Sequence, residues 1–429
     1  MPFNKFRYIA YQVPTITKDN QNKGIYGIPA GKAENIDSTI TLKGDDKELT
    51  PDSKARVIRF LAVLKRARDE VFKKEGNKND PNTLKIFMAP EFYFRPASRE
   101  RAYSYQEYLA IKDVLRATIT EDEKFKHWLV IAGTIMWIKP EIPNEKVVQK
   151  VYRNTALYIK GHTGLTWEKF KEQKAADQQK TTRVIEKTMA AAADGVPMVV
   201  QSTDKDRDPK GPPEAFSEKY LTTVKRKKHI FDYDGIWLGL EICKEHELGI
   251  PTRKEKDGKV EMGTRGQGGL IRTLINELSK NTQKEGIDYA TGVELHLLIA
   301  AGMYVKKANI AACSDGYFLR IDGCPNNGGH KQTSFCKVDR TQGVSKHTST
   351  KGRQFFPPLI KKLKPELQPN SNKTQIEAFY NACEQEKEVA LDIKKNDALY
   401  ISPPSGINAD DAERWFDQEI KIYKSKKLP

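Results

Sequence analysis

The stretch Ile236-Trp237-Leu238-Gly239-Leu240-Glu241-Ile242-Cys243-Lys244-Glu245-His246 decides how the rest of this chain is read. From Ile236 to Ile242 it is apolar except at Gly239 and Glu241, a composition that predicts a strand buried on both faces. The apolar run stops at Cys243, and three charged or titratable residues follow at once. A thiol at such a strand-to-turn junction lies beside turn N–H groups that can face a ligand, which suits a nucleophile with an oxyanion hole. The plainer alternative is a buried structural cysteine, since free Cys is among the most buried residue types.

Two further stretches bear on that choice. Leu84-Lys85-Ile86-Phe87-Met88-Ala89-Pro90-Glu91-Phe92-Tyr93 predicts a second apolar strand that ends in a carboxylate, Glu91. Asn154 to Ile159, then Gly161 and Gly164, then Trp167-Glu168-Lys169-Phe170-Lys171, predicts a hairpin whose second strand ends in lysines. A strand-end Glu, a strand-end Lys and a strand-end Cys, in that order, resemble the Glu-Lys-Cys constellation of the nitrilase (carbon-nitrogen hydrolase) superfamily. Trp128 to Thr134 is similar to the family's strand after the glutamate, His229 to Gly235 to the strand and turn leading into the cysteine strand, and Leu295 to Met303 to the strand after the cysteine. The resemblance spans residues 6 to 323.

What the resemblance implies is concrete. The fold is an α/β four-layer αββα sandwich, with a catalytic domain over residues 1–330, an insertion at about 172–223, and an extension over 331–429 packing on the same body. The chemistry is thiol-dependent hydrolysis of a non-peptide C–N bond, amide before nitrile, with no metal or organic cofactor and a small-molecule substrate; acyl transfer would use the same acyl-enzyme. Cys243 attacks as thiolate, Glu91 shuttles the proton, and a lysine stabilises the oxyanion with the N–H of Lys244. Lys169 is the expected lysine, because Gly161 and Trp167 precede it as in the family. Lys171 is the reserve, and Lys227 is set aside because His229 to Gly235 already fills the strand leading into Cys243. The family's second glutamate has no match at the expected distance, Asp177 and Glu186 being nearest.

Composition constrains the alternatives. Lys+Arg 73 less Asp+Glu 57 gives +16 over 429 residues. That balance admits a rival class, a non-catalytic basic binding protein contacting nucleic acid or an acidic partner, although the charge is dispersed, as on an ordinary solvated surface. The five cysteines are odd in number and lack zinc-ligand spacing, which fits a reducing compartment and a cytoplasmic location. Met1 to Pro14 is not a signal peptide, and no apolar run approaches the ~20 residues of a membrane span. A homo-oligomer is expected from the family. His246 follows Cys243 too closely for in-line proton abstraction, and His296, inside an apolar run, predicts a satisfied core histidine. No GxGxxG or P-loop occurs.

Between these motifs the pattern alternates helix and strand. Thr50, Pro51 and Asp52 predict a capped helix with a stripe from Val57 to Val71, and a second helix is expected at about Tyr105 to Ala117. Lys174 to Ala193 is expected helical, as are Gly268 to Lys284, Lys373 to Lys387 and Ala409 to Tyr423. A last hairpin is expected from Val389 to Ile401.

Overall fold

The computed structural model describes residues 2–16, 27–98, 101–139, 151–188, 229–247, 250–256, 259–265, 269–281, 292–303, 305, 309–324, 333–340, 360–362, 381, 383–403 and 418–429. In chain order its principal elements are β1 (Lys5–Gln12), α1 (Pro51–Lys74), β2 (Thr83–Met88), α2 (Tyr105–Glu121), β3 (Trp128–Lys139), β4 (Val151–Lys160), α3 (Trp167–Lys171), α4 (Ala175–Thr181) and β5 (Thr182–Glu186). There follow β6 (Ile230–Tyr233), β7 (Ile236–Ile242), a 3-10 turn (Cys243–Glu247), β8 (Ile250–Lys256), β9 (Lys259–Arg265), α5 (Leu270–Asn281), β10 (Val293–Ala300) and β11 (Ala312–Asp322). The last are β12 (Thr333–Lys337), β13 (Asp339–Arg340), β14 (Ile360–Lys362), β15 (Lys387–Asp392), β16 (Glu419–Tyr423) and β17 (Lys426–Lys427).

Two mixed sheets organise these strands. The first runs β15-β16-β1-β2-β3-β4-β5, with β17 pairing the start of β1. Its middle strands β1, β2 and β3 are parallel, and α1 and α2 supply the crossovers between them. The second runs β12-β11-β10-β7-β6, with β7, β10 and β11 parallel. Parallel strands covered on both faces read as continuous apolar runs, and β7 and β10 are buried almost throughout.

Alternation then assigns faces. Phe6, Tyr8, Ile86 and Leu129 of the first sheet share one core cluster with Leu238, Leu240, Leu297 and Phe318 of the second. Ile9, Phe87 and Val130, one residue out of phase, pack instead with Val57, Phe60 and Leu64 of α1 and Ile111 and Leu115 of α2. On the second sheet's other face Leu270, Ile271 and Leu274 of α5 meet Val293 and Ala311. Gly239 permits that seat: a Cβ there would stand 2.7 Å from Ile271 Cγ2.

The start of α1 is built as its sequence indicates. Thr50 Oγ1 accepts from Ser53 N, Pro51 opens the helix, and Asp52 sits in the first turn.

Several expectations are corrected. Trp167 to Lys171 is a short helix, α3, and not the second strand of a hairpin. Trp167 and Phe170 stack at 5.6 Å between centroids and pack on Ala117 of α2, so the aromatic pair at helical spacing buries against a helix. The helix expected from Lys174 ends at Thr181 and gives way to β5, whose Thr182, Val184 and Ile185 favour extended backbone. Residues 172–188 thus include a strand paired with β4; the rest of the expected insertion, with Lys227, lies outside the described residues. At the C-terminus, Glu419 to Tyr423 is strand β16, paired with β1 and β15, where a helix was expected.

Candidate functional site

Glu91 lies in the loop that leaves β2 and is fully buried. Two features seat that loop. Gly133 of β3, at φ +73°, has no Cβ to strike Pro90 O, which would stand 2.3 Å from one. Thr134 Oγ1 accepts the N–H of Phe92 at 2.8 Å, and Phe92 itself adopts φ +63°. Left-handed backbone at a bulky residue costs of order 1 kcal/mol and persists only where surrounding contacts impose it.

One carboxylate oxygen of Glu91 receives two side-chain donors. Asn154 Nδ2, from β4, donates to Oε1 at 2.9 Å, and Lys187 Nζ donates to the same atom at 2.8 Å. The Lys187 and Glu91 side chains are both wholly buried. Lys187 follows directly on β5, and its N–H continues the ladder to Asn154 O at 2.8 Å. Its ammonium also lies 5.6 Å from the Phe92 ring centre. A buried ion pair is sustained only when its remaining donors and acceptors are well placed, and losing one partner costs about 3–5 kcal/mol.

Cys243 directly follows β7, opens the 3-10 turn at φ +50° and is buried. A left-handed cysteine turns the chain sharply into the 3-10 turn. Glu245 closes the turn: its Oε2 accepts Ile242 N at 2.7 Å, and its Oε1 accepts both N–H and O–H of Thr188 at 2.6 Å. Thr188 is the neighbour of Lys187. The cysteine turn is therefore tied, through Glu245 and Thr188, to the lysine that holds Glu91. His229 supports the same strand, donating Nδ1–H to Leu240 O at 2.9 Å.

The expected residues separate as follows. Glu91 stands in the loop after β2, and Cys243 opens the turn after β7 that Glu245 and Thr188 tie to Lys187. Lys169 stands exposed on α3, where its N–H meets the cap residue Thr166. Lys171 is also exposed and pairs with Glu168 at 2.6 Å. Among the described residues the lysine that reaches Glu91 is Lys187, which sequence reasoning missed. The available signal was the β-branched Thr182, Val184 and Ile185 just before it, interrupted by Arg183 and bounded by Glu186.

A second buried cluster backs the cysteine strand. Glu241 Oε2 lies 2.7 Å from His246 Nδ1 and 3.0 Å from His296 Nε2, while Glu241 Oε1 accepts Ile271 N at 2.9 Å. Burial alone would push the Glu241 carboxyl up; His296 and the hydrogen bonds of both imidazoles outweigh it and hold it down at about 2. Arg272 balances the charge nearby, although burial pushes its own pKa down to about 10. Three possible ligands so close, one carboxylate and two imidazoles, invite a metal reading. The hydrogen bonds argue otherwise: His296 Nδ1 accepts Ala311 N–H at 2.9 Å, so the neutral ring carries its proton on Nε2 and has no lone pair there for a cation. The cluster works as a brace joining β7, the cysteine turn, β10 and α5.

Among the described residues no helix is long and apolar enough to cross a membrane. No family model matches the chain, and no curated protein is similar to it. Among solved structures it is similar to the NitN amidase from Neterenkonia sp. AN1, at 12% identity over 78% of this chain and 84% of that one, TM-score 0.32. An amidase from Nesterenkonia sp. is 10% identical over 79% and 82%, TM-score 0.31. A cysteine-to-alanine mutant of the Nesterenkonia AN1 amidase from the nitrilase superfamily is 10% identical over 79% and 83%, TM-score 0.30.

Proposed function

We propose that the chain is a thiol-dependent hydrolase of the nitrilase type, cleaving a non-peptide C–N bond, amide before nitrile, with Glu91, Lys187 and Cys243 as its triad. The observation that carries this reading is the wholly buried Glu91–Lys187 pair, joined through Thr188 and Glu245 to the left-handed turn at Cys243. In it Glu91 takes the thiol proton as Cys243 Sγ bonds to the carbonyl carbon. Lys187 and the N–H of Lys244 stabilise the oxyanion. Collapse breaks the C–N bond, and Glu91 returns its proton to the departing nitrogen. Water, deprotonated by Glu91, then attacks the thioester, releasing the acid and restoring the thiol. Asn154 keeps the Glu91 carboxylate oriented throughout. A four-layer αββα arrangement is the fold we assign with this function, helices lying outside each of the two sheets.

Intact-mass measurement after incubation with an amide library tests the reading. An acyl adduct mapping to Cys243, with stoichiometric release of ammonia or amine, is expected. No adduct with any amide, together with nucleic-acid binding that weakens steeply with salt, would instead favour the basic binding protein that the +16 charge allows.

A further inference from the structure

The core between the sheets holds two thiols that the proposed chemistry does not use. Cys336 lies on β12, the edge of the second sheet, and Cys383 lies four residues before β15, the edge of the first. Both are buried, and their sulfurs stand 3.6 Å apart although 47 residues separate them in sequence. The surroundings already fix the two edges against each other. Tyr423 Oη, from β16, donates to Thr333 Oγ1 of β12 at 3.0 Å, and the rings of Phe335 and Tyr423 lie 5.0 Å apart.

We infer that Cys336 and Cys383 form a reversible disulfide that pins the edge of one sheet to the edge of the other. A disulfide needs an S–S length of about 2.0 Å, so each sulfur has less than an ångström to travel, within the reach of side-chain rotation. The two thiols are not equivalent. The contact with Cys336, and then the N–H of Phe335, pull the Cys383 thiol down, whereas burial pushes the Cys336 thiol up. Cys383 is therefore the attacking sulfur. With a small-molecule disulfide as oxidant, the Cys383 thiolate attacks one of its sulfurs and expels one thiolate, leaving a mixed disulfide. Cys336 then loses its proton and attacks Cys383 Sγ, expelling the second thiolate. Two protein thiols are oxidised and one external disulfide becomes two thiols.

The test uses the full chain, reduced and then exposed under native conditions to oxidised glutathione. After denaturation the remaining thiols are alkylated and peptides are mapped without reductant. The expected result is a mass loss of two hydrogens, a single cross-link joining the Cys336 and Cys383 peptides, and a melting temperature that rises on oxidation and returns on reduction. Cys336→Ser should stop the reaction at glutathione on Cys383, and Cys383→Ser should give no cross-link. Five alkylatable thiols in oxidised wild type, a mixed disulfide that never resolves, or a link to Cys243, Cys313 or Cys324 would overturn the inference. The wild-type map decides even if a serine variant fails to fold, and it reads nothing from amide hydrolysis.

Discussion

Glu91 and Lys187 differ from an ordinary surface pair because neither side chain reaches solvent. Glu91→Gln keeps the shape but cannot accept a proton. General acid–base catalysis is worth roughly a hundred- to ten-thousand-fold, so kcat should fall within that range while substrate still binds. The variant will also melt lower, because Lys187 is left buried beside a neutral amide. The rate per folded molecule is therefore the reading that matters, and a normal one removes Glu91 from the mechanism. The lysines offer a sharper contrast. Lys187→Met should abolish turnover and cost about 3–5 kcal/mol by stranding the Glu91 charge. Lys169→Ala should change neither, since Lys169 is exposed on α3. Loss of activity in Lys169→Ala with activity kept in Lys187→Met would reverse the assignment.

At the level of elements, the Glu91 loop depends on the bare backbone of Gly133. Gly133→Ala places a Cβ 2.3 Å from Pro90 O at φ +73°, and destabilisation of roughly 2–3 kcal/mol is expected, measured by urea unfolding; an unchanged midpoint would show that the loop yields freely. The brace behind β7 should show itself in acid. Burial holds the His296 imidazole below its ordinary 6.5 despite the nearby Glu241 carboxylate. A depressed pKa means the unfolded chain binds the extra proton first, so stability is full above 6.5 and declines as pH falls toward the folded value. The melting temperature should slope downward over that window, and the slope should flatten in His296→Asn; an unaltered slope would place the titration elsewhere.

The same elements show what a sequence can disclose. The strands before Glu91 and Cys243 are legible because parallel strands covered on both faces are mostly apolar, and the runs from Leu84 to Ala89 and Ile236 to Ile242 are each broken by a single charged residue, Lys85 and Glu241. β5 is not legible in that way. It ends the described order of its sheet, sets charged Arg183 and Glu186 on either side of Val184 and Ile185, and follows a helical turn directly. Its lysine is hidden by that mixed polarity, and a Gly-aromatic-Lys pattern at 161–169 offers a nearer match whose actual fold is a helix. β16 is obscured similarly: Glu419-Ile420-Lys421-Ile422 alternates polar and apolar, but only over four residues before Tyr423 breaks the pattern.

On the scale of the whole molecule, the C-terminal strands complete the first sheet instead of decorating it. β16 lies between β15 and β1, with Ile9 opposite Ile422 and Tyr11 opposite Ile420. Its two faces feed two different cores: Ile420 and Ile422 pack with α1's cluster, and Tyr423 stacks on Tyr8 at 5.0 Å between the sheets. β12, also beyond residue 330, covers β11 in the second sheet. A chain ending at residue 330 would therefore lose an edge strand from one sheet and expose β1 in the other. Fully burying each large apolar side chain contributes about 1.5–3 kcal/mol, so losing Ile420, Ile422, Tyr423 and Phe335 together removes an amount comparable with the net stability of a typical domain, about 5–15 kcal/mol. The uncovered β1 would also present a long unpaired edge of the kind that aggregates. Residues 1–330 alone should thus fail to give a cooperative thermal transition and should associate at low concentration, as read by calorimetry and light scattering. A monodisperse 1–330 fragment melting at the temperature of the full chain would show that the first 330 residues are an independent domain and that β16 is dispensable to the sheet it lies in.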